Sequence, residues 1–179
     1  MITVIVGTDR ANSRSKVVAD HYKDRLKALT EEKVELLSLA EIEKPYLIGN
    51  EYKAESQSKQ LADIQNKYFI GADKWVIVIP EYNGGLPGVF KSVLDAISIR
   101  EYGPTFLNKK VAITGVSAGN AGNLRGLDYL TNLLSYVKAN VFKNRLPISR
   151  IETLIENDVL VDKPTLEAID QQLKEFLTF

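Results

Sequence analysis

Strand-like and helix-like runs alternate along this whole chain, and that alternation limits the folds open to it more than any other feature. ITVIVG (2–7), KVELLSL (33–39), KWVIVIP (74–80) and KKVAITGV (109–116) are short apolar runs, and Ala139 to Phe142 makes a shorter fifth. Between them apolar residues return every three or four positions. Val18, Tyr22, Leu26 and Leu29 form one such stripe from Ser13 to Leu29; Leu61, Ile64 and Tyr68 form another over 55–70. Phe90, Leu94 and Ile97 mark a helix over 88–98, and a further helix runs from Leu124 to Val137. Pro164 opens a last helix to Phe179, with Leu166, Ile169, Leu173 and Phe176 as its stripe. KWVIVIP is apolar on both faces, as a central parallel strand must be. The pattern predicts an α/β domain in which a parallel sheet of five strands carries right-handed crossovers and helices on both faces. No repeat or linker divides the chain, so 1–179 reads as one domain. The stretch around Pro45 to Tyr52 reads as irregular, and 143–163 carries no clear pattern.

Composition removes several classes of chemistry. Lys and Arg number 23 and so do Asp and Glu, which leaves no net field to favour nucleic acid or an acidic membrane. There is no cysteine and one histidine, His21, placed within the first helix. Thiolate metal sites and cysteine nucleophiles are therefore absent, and usual zinc sites are nearly excluded. MITVIVGTDR lacks the basic start and long apolar core of a signal peptide, and no apolar run approaches the ~20 residues that span a bilayer. The expectation is a cytoplasmic protein with no membrane or nucleic-acid partner.

In a sheet of this kind ligands bind beyond the carboxyl ends of the strands, so the loops after strands one, three and four matter most. GTDRANSRS (7–15) carries Thr8, Ser13 and Ser15 with Arg10 and Arg14, and leads straight into a helix. A helix start rich in hydroxyls and guanidinium groups is an anion site, suited to a terminal phosphate. The loop is neither a Walker A sequence nor a G-x-G-x-x-G fingerprint. PEYNGGLPG (80–88) places Pro80, Glu81, Tyr82, Asn83 and Gly84 where the third strand ends. Gly84 and Gly85 let backbone approach a flat ligand, Asn83 donates and accepts, and Tyr82 offers an aromatic face. GVSAGNAGN (115–123) contributes Ser117 and small residues that leave a groove.

Through G-x-x-R-x-x-S at Gly7, Arg10 and Ser13, and P-E-Y-N-G-x-x-P-G at Pro80 to Gly88, the chain resembles the NAD(P)H-dependent FMN reductases of the flavodoxin-like proteins. S-x-G-x-x-G at Ser117, Gly119 and Gly122 agrees in place, and the similarity runs from residue 1 to about 140. The resemblance implies a flavodoxin-like three-layer sandwich with strand order 2-1-3-4-5. It implies FMN as cofactor and NAD(P)H as co-substrate, with hydride passing to the flavin and on to free flavin, a quinone or an azo compound. Arg10, Ser13 and Ser15 would hold the FMN phosphate, with Thr8 or Arg14 assisting. Pro80, Glu81, Tyr82, Asn83 and Gly84 would lie along the isoalloxazine, and Ser117, Ala118, Gly119 and Gly122 would border its other side. The flavin carries the chemistry, so no catalytic side chain and no metal is expected. Family members commonly form homodimers or homotetramers. Helix 88–98, with Lys91 and Asp95 at i, i+4, and the following IREYGPTF are the expected interface. The competing reading is a flavodoxin-type electron carrier without nicotinamide activity, although such carriers tend to be strongly acidic. A fold-sharing interaction module without flavin is a third reading, and a low-molecular-weight phosphatase lacks its cysteine here.

Overall fold

A computed structural model describes residues 1–42 and 53–179, and the irregular stretch expected around Pro45 to Tyr52 lies outside them. The first strand β1 (Ile2–Val6) is buried throughout and pairs in parallel with β2 (Val34–Ser38) on one side and β3 (Lys74–Pro80) on the other. β3 pairs with β4 (Lys110–Val116), and β4 with β5 (Asn140–Val141), which gives the order β2-β1-β3-β4-β5. A sixth strand, β6 (Leu146–Ile148), pairs with the far end of β4.

Alternation along the strands sorts the two faces. From β3, Trp75, Ile77 and Ile79 enter one core and Val76 and Val78 the other. The bulkier face is covered by α3 (Gly88–Ile97), through Phe90, Leu94 and Ile97, and by a helix from the β4 crossover that carries Leu127, Leu130 and Leu134. A short helix, α4 (Tyr102–Phe106), precedes β4. The crossover helix itself is α5 (Leu124–Tyr136). The other face is covered by α1 (Arg14–Leu29), with Val18, Tyr22 and Leu26 inward, and α6 (Lys163–Thr178), with Ile169, Leu173 and Phe176 inward. Three layers result, with α1, α3 and α6 turning inward the stripes that their sequence periods predict. Ser13 caps α1 and Asp162 caps α6, the latter accepting from the Thr165 amide.

The helix expected over 55–70 differs at both ends: a 3₁₀ turn at Ala54–Ser56 stands apart from it, and Ser58, accepting from the Leu61 amide, starts the α-helix at Lys59. α2 (Lys59–Ile64) gives way to a π-helical turn at Gln65–Ile70. The wider turn rotates the stripe, so Gln65 and Phe69 are buried while Ile64 and Tyr68 reach the core only in part. Phe69 meets Trp75 edge-on at 5.4 Å, and the Gln65 amide nitrogen lies within hydrogen-bond distance of Ile97 O, Arg100 O and Thr105 Oγ1. Residues 143–163, unpatterned in sequence, hold β6, a 3₁₀ turn (Ile151–Thr153) and a small antiparallel hairpin of β7 (Ile155–Glu156) and β8 (Val159–Leu160). Gln172 of α6 is fully buried; its amide nitrogen donates to Ile113 O at 3.3 Å and Asn144 O at 2.8 Å, and its oxygen accepts from Tyr22 at 2.5 Å.

His21 stands on α1 with Nε2 buried and unpartnered among the described residues. Burial lowers its pKa; the nearby Asp170 carboxylate opposes that and the Arg25 guanidinium adds to it. The folded state thus resists a proton that the unfolded chain accepts. His21 should cost no stability above its ordinary value of 6.5 and should cost more as pH falls below it, levelling off under the folded value. Urea-derived stabilities of wild type and His21→Gln, compared from about pH 8 to about pH 5, should converge or cross as the pH drops. A difference that is flat with pH would refute this.

Candidate functional site

β1 and β3 are neighbours, yet the chain leaves them for opposite sides of the sheet, and this reversal opens a crevice at their carboxyl ends. A cavity of about 500 Å³ occupies it, a size usual for small-molecule sites. It brings together Arg10, Ser13, Arg14 and Ser15 from the first loop, Pro80, Glu81 and Tyr82 from the second, and Ser117 and Ala118 from the third.

The first loop ends in the start of α1. The Ser13 side chain accepts from the Lys16 amide at 3.3 Å, and no acidic residue stands in the first turn. The amides of Arg14 and Ser15 have no intrahelical acceptor at this end, where the helix dipole is positive. Thr8 is fully buried behind the wall, its oxygen 3.2 Å from the Arg10 amide and 2.6 Å from the Tyr82 hydroxyl. It supports the loop and does not line the cavity. The two arginines, alike in the sequence, differ in their surroundings. Arg10 is exposed, and its guanidinium has no hydrogen-bond or ion-pair partner among the described residues. Arg14 donates from Nε to Glu152 Oε2 at 2.8 Å and from Nη1 to Asp158 Oδ1 at 2.9 Å, and these carboxylates raise its pKa, Glu152 foremost.

The second loop is a two-residue hairpin. Tyr82 and Gly85 exchange backbone hydrogen bonds at 3.0 Å, with Asn83 and Gly84 between them at φ of 51° and 75°. An Asn-Gly pair is favoured where both central residues need positive φ. Asn83 and Gly84 form the tip of this turn and are not part of the cavity wall, which begins at Tyr82. Glu81 accepts the Asn123 amide at 3.1 Å, so its carboxylate closes the start of α5.

The third loop folds on Ser117, whose hydroxyl donates to Gly119 O and accepts from the Gly122 amide, both at 2.9 Å. Gly119 and Gly122 shape this loop without lining the cavity. A Cβ at Gly122 would come within 2.6 Å of Pro147, and one at Gly115 within 2.2 Å of Gly122 O. Asn123, unmarked by the sequence reading, is fully buried and donates from Nδ2 to Ile79 O at 3.3 Å and Pro80 O at 3.0 Å. It ties the start of α5 to the end of β3.

Asn12, Ile151, Glu152 and Asp158 also line the cavity and were missed. The signal for Asp158 was present: Asn157 and Asp158 sit at φ of 48° and 59° between the two strands of the β7–β8 hairpin, and an Asn-Asp pair suits such a turn; Glu152, in the 3₁₀ turn, had none. Among the described residues no cluster of His, Asp and Glu could hold a metal ion, and no helix is long and apolar enough to cross a membrane. The cavity offers the open start of α1 with Arg10, backbone edges and a phenol.

Residues 1–153 match the sequence model of a family described as NADPH-dependent FMN reductase. The chain is 27% identical over 180 residues to an NADPH azoreductase of Bacillus sp. (strain OY1-2), covering 99% of this chain and 92% of that protein. It is 32% identical over 161 residues to an FMN-dependent NADH:quinone oxidoreductase 2 of Listeria monocytogenes, covering 72% and 76% of the two. Among solved structures it is similar to FerB, a flavoenzyme NAD(P)H:(acceptor) oxidoreductase from Paracoccus denitrificans. The TM-score there is 0.77 at 20% identity over 99% of this chain and 94% of the other. A Megasphaera elsdenii flavodoxin shares the fold at a TM-score of 0.61 and 12% identity, covering 98% of this chain and 99% of that one.

Proposed function

The chain belongs to the family of NADPH-dependent FMN reductases, and on that premise we propose that it reduces a small azo or quinone acceptor with NAD(P)H, using FMN held in the three-loop cavity. It is an oxidoreductase with FMN as cofactor and NAD(P)H as co-substrate. The nicotinamide-linked names of its relatives favour this over an electron carrier. The azoreductase relative, matched over nearly the full length of both chains, supports an azo compound as one acceptor.

The observation that carries the assignment is Arg10, without a partner among the described residues, beside the open start of α1 and in one cavity with Pro80, Tyr82 and Ser117. The donors fit FMN. Arg10, the Arg14 and Ser15 amides and the hydroxyls of Ser13 and Ser15 would hold its phosphate. The backbone of Pro80 to Tyr82, with the Asn83–Gly84 turn beyond it, would meet the polar edge of the ring, and Ser117 with Ala118 would border the other side. When bound, FMN supplies the hydride chemistry that no side chain here can perform. The protein's part is placement: Thr8 and Asn123 hold the first and second loops, and Glu81 joins the second to α5.

The assembly we propose is a homodimer or homotetramer through α3, α4 and α5. Lys91 and Asp95 pair within α3 at 2.6 Å, and beside them runs a groove of Leu94, Tyr102, Phe106, Tyr129, Leu133 and Tyr136. Tyr136 is 85% exposed in a single chain, and this apolar and aromatic mixture is usual at interface cores. We place the enzyme in the cytoplasm, in keeping with a chain that has no cysteine.

Purified protein given FMN should oxidise NADPH or NADH in the presence of an azo dye or a quinone; no turnover with either nicotinamide across both acceptors would defeat the reading. Arg10→Ala should weaken FMN binding by roughly one to two orders of magnitude, about 1.5–3 kcal/mol for a lost charge-assisted contact, with the apo fold unchanged. Calorimetric titration measures this, and unaltered affinity would move the phosphate elsewhere. Tyr102→Glu should dissociate the assembly in sedimentation equilibrium and lower FMN retention with it. A wild-type monomer with full activity would sink the proposed interface.

A further inference from the structure

The segment 150–158 forms a strap across the phosphate end of the cavity. Its near end is fixed by the Arg150 amide donating to Gly119 O at 2.9 Å, the Ile151 amide to Ser117 O at 3.0 Å, and the Arg150 side chain donating from Nε to Asn120 Oδ1 at 2.7 Å. Its far end is fixed by the β7–β8 hairpin, by the Val161 amide bonding Leu154 O at 2.9 Å, and by buried Leu160. Thus fastened, the strap delivers Glu152 and Asp158 to either side of Arg14. All three line the same cavity as Arg10, Ser13 and Ser15. Exposed ion pairs contribute little to stability, and the strap is already anchored without these two. Folding alone does not call for both carboxylates.

The consequence is a phosphate end with two unlike walls. One holds Arg10, unclaimed by any carboxylate among the described residues. The other holds one guanidinium shared between two carboxylates, which leaves a negative charge uncompensated. A phosphate monoester needs only the first wall and the α1 amides. A dinucleotide brings a second phosphate, which would have to share the cavity with Glu152 and Asp158 and, with Arg10 taken by the first, find no further free cation among the described lining residues. Like charges placed this close repel, less so as salt screens them.

We propose that the strap, latched by Arg14, makes the site selective for FMN over FAD, with Glu152 and Asp158 as the specificity-determining groups. The inference rests on the reading of the cavity as the FMN site. Asp158 lies beyond residues 1–153, so half of the device belongs to a part of the chain outside the matched family region.

The test is calorimetric titration of apo protein with FMN and with FAD, for wild type and for E152Q/D158N. Both changes keep side-chain shape and an oxygen for Arg14, and asparagine tolerates the positive φ at 158. Wild type should bind FMN at least about tenfold more tightly than FAD. The double variant should narrow that ratio by about tenfold, chiefly by gaining FAD affinity, with FMN affinity changed less than about threefold. Raising salt from about 0.02 M to about 0.3 M should narrow the wild-type ratio more than the variant's. If the double variant fails to fold, D158N alone, at an exposed turn, should give part of the same change. An FMN/FAD ratio untouched by these substitutions, or a wild type that binds both equally, overturns the proposal. A wild type that binds neither overturns the site assignment itself, a distinguishable result.

Discussion

Helices cover both faces of the sheet, so its central strands can meet solvent or a ligand only at their ends. β1 and β3 are buried along nearly their whole length, and β3 and β4 run in register to Pro80 and Val116. Beyond those residues three loops leave the sheet together, and past their first amides the strand ladder no longer supplies partners. The loops satisfy one another. Thr8 bonds Tyr82, Glu81 takes the Asn123 amide, Asn123 returns two bonds to Ile79 and Pro80, and Ser117 closes its own loop. A site of this kind is stiff because its walls are also one another's hydrogen-bond partners.

The layered fold was legible because burial imposes a period, and the period is written in residue types. Strand and helix positions over 2–39 and 74–137 lie within a residue or two of where apolar spacing puts them, except for the short α4, whose single turn is too brief to show a period. The π turn at Gln65–Ile70 was not legible, since α and π turns differ by one hydrogen-bond register and QNKYFI suits either. What selects it lies elsewhere in the chain: the acceptors at Ile97, Arg100 and Thr105 that Gln65 meets, and the Trp75 ring that Phe69 meets. The segment 143–163 was opaque for a different reason. Its strands are too short for alternation to register.

At the site, residue types were legible and their division of labour was not. Arg10 and Arg14 look equivalent in GTDRANSRS, yet Arg14 is claimed by carboxylates 138 and 144 positions away. The resemblance implies Thr8 or Arg14 as an assisting group at the phosphate; the Thr8 hydroxyl meets the Arg10 amide and the Tyr82 hydroxyl behind the cavity wall. Gly119 and Gly122 shape a turn that their small size alone could not distinguish from a ligand-contact surface. Asn123 stayed invisible because its role depends on two carbonyls that only the folded sheet brings within reach.

The last edge of the sheet is built unlike the rest. β5 meets one end of β4 and β6 the other, and between them the Gln172 side chain takes up Ile113 O where a strand's amide would stand. A side chain from the C-terminal helix thus fills a gap in the backbone ladder. The border it leaves is broken into very short pieces, and a broken border is a poor template for another chain's strand. Association through added strands is discouraged on this side of the molecule. The same arrangement makes α6 a structural part of the sheet as well as its cover. A chain cut before α6 would expose Ile113 O and Asn144 O together with the lower core, so the tail and the strands it seals should be lost as one cooperative unit.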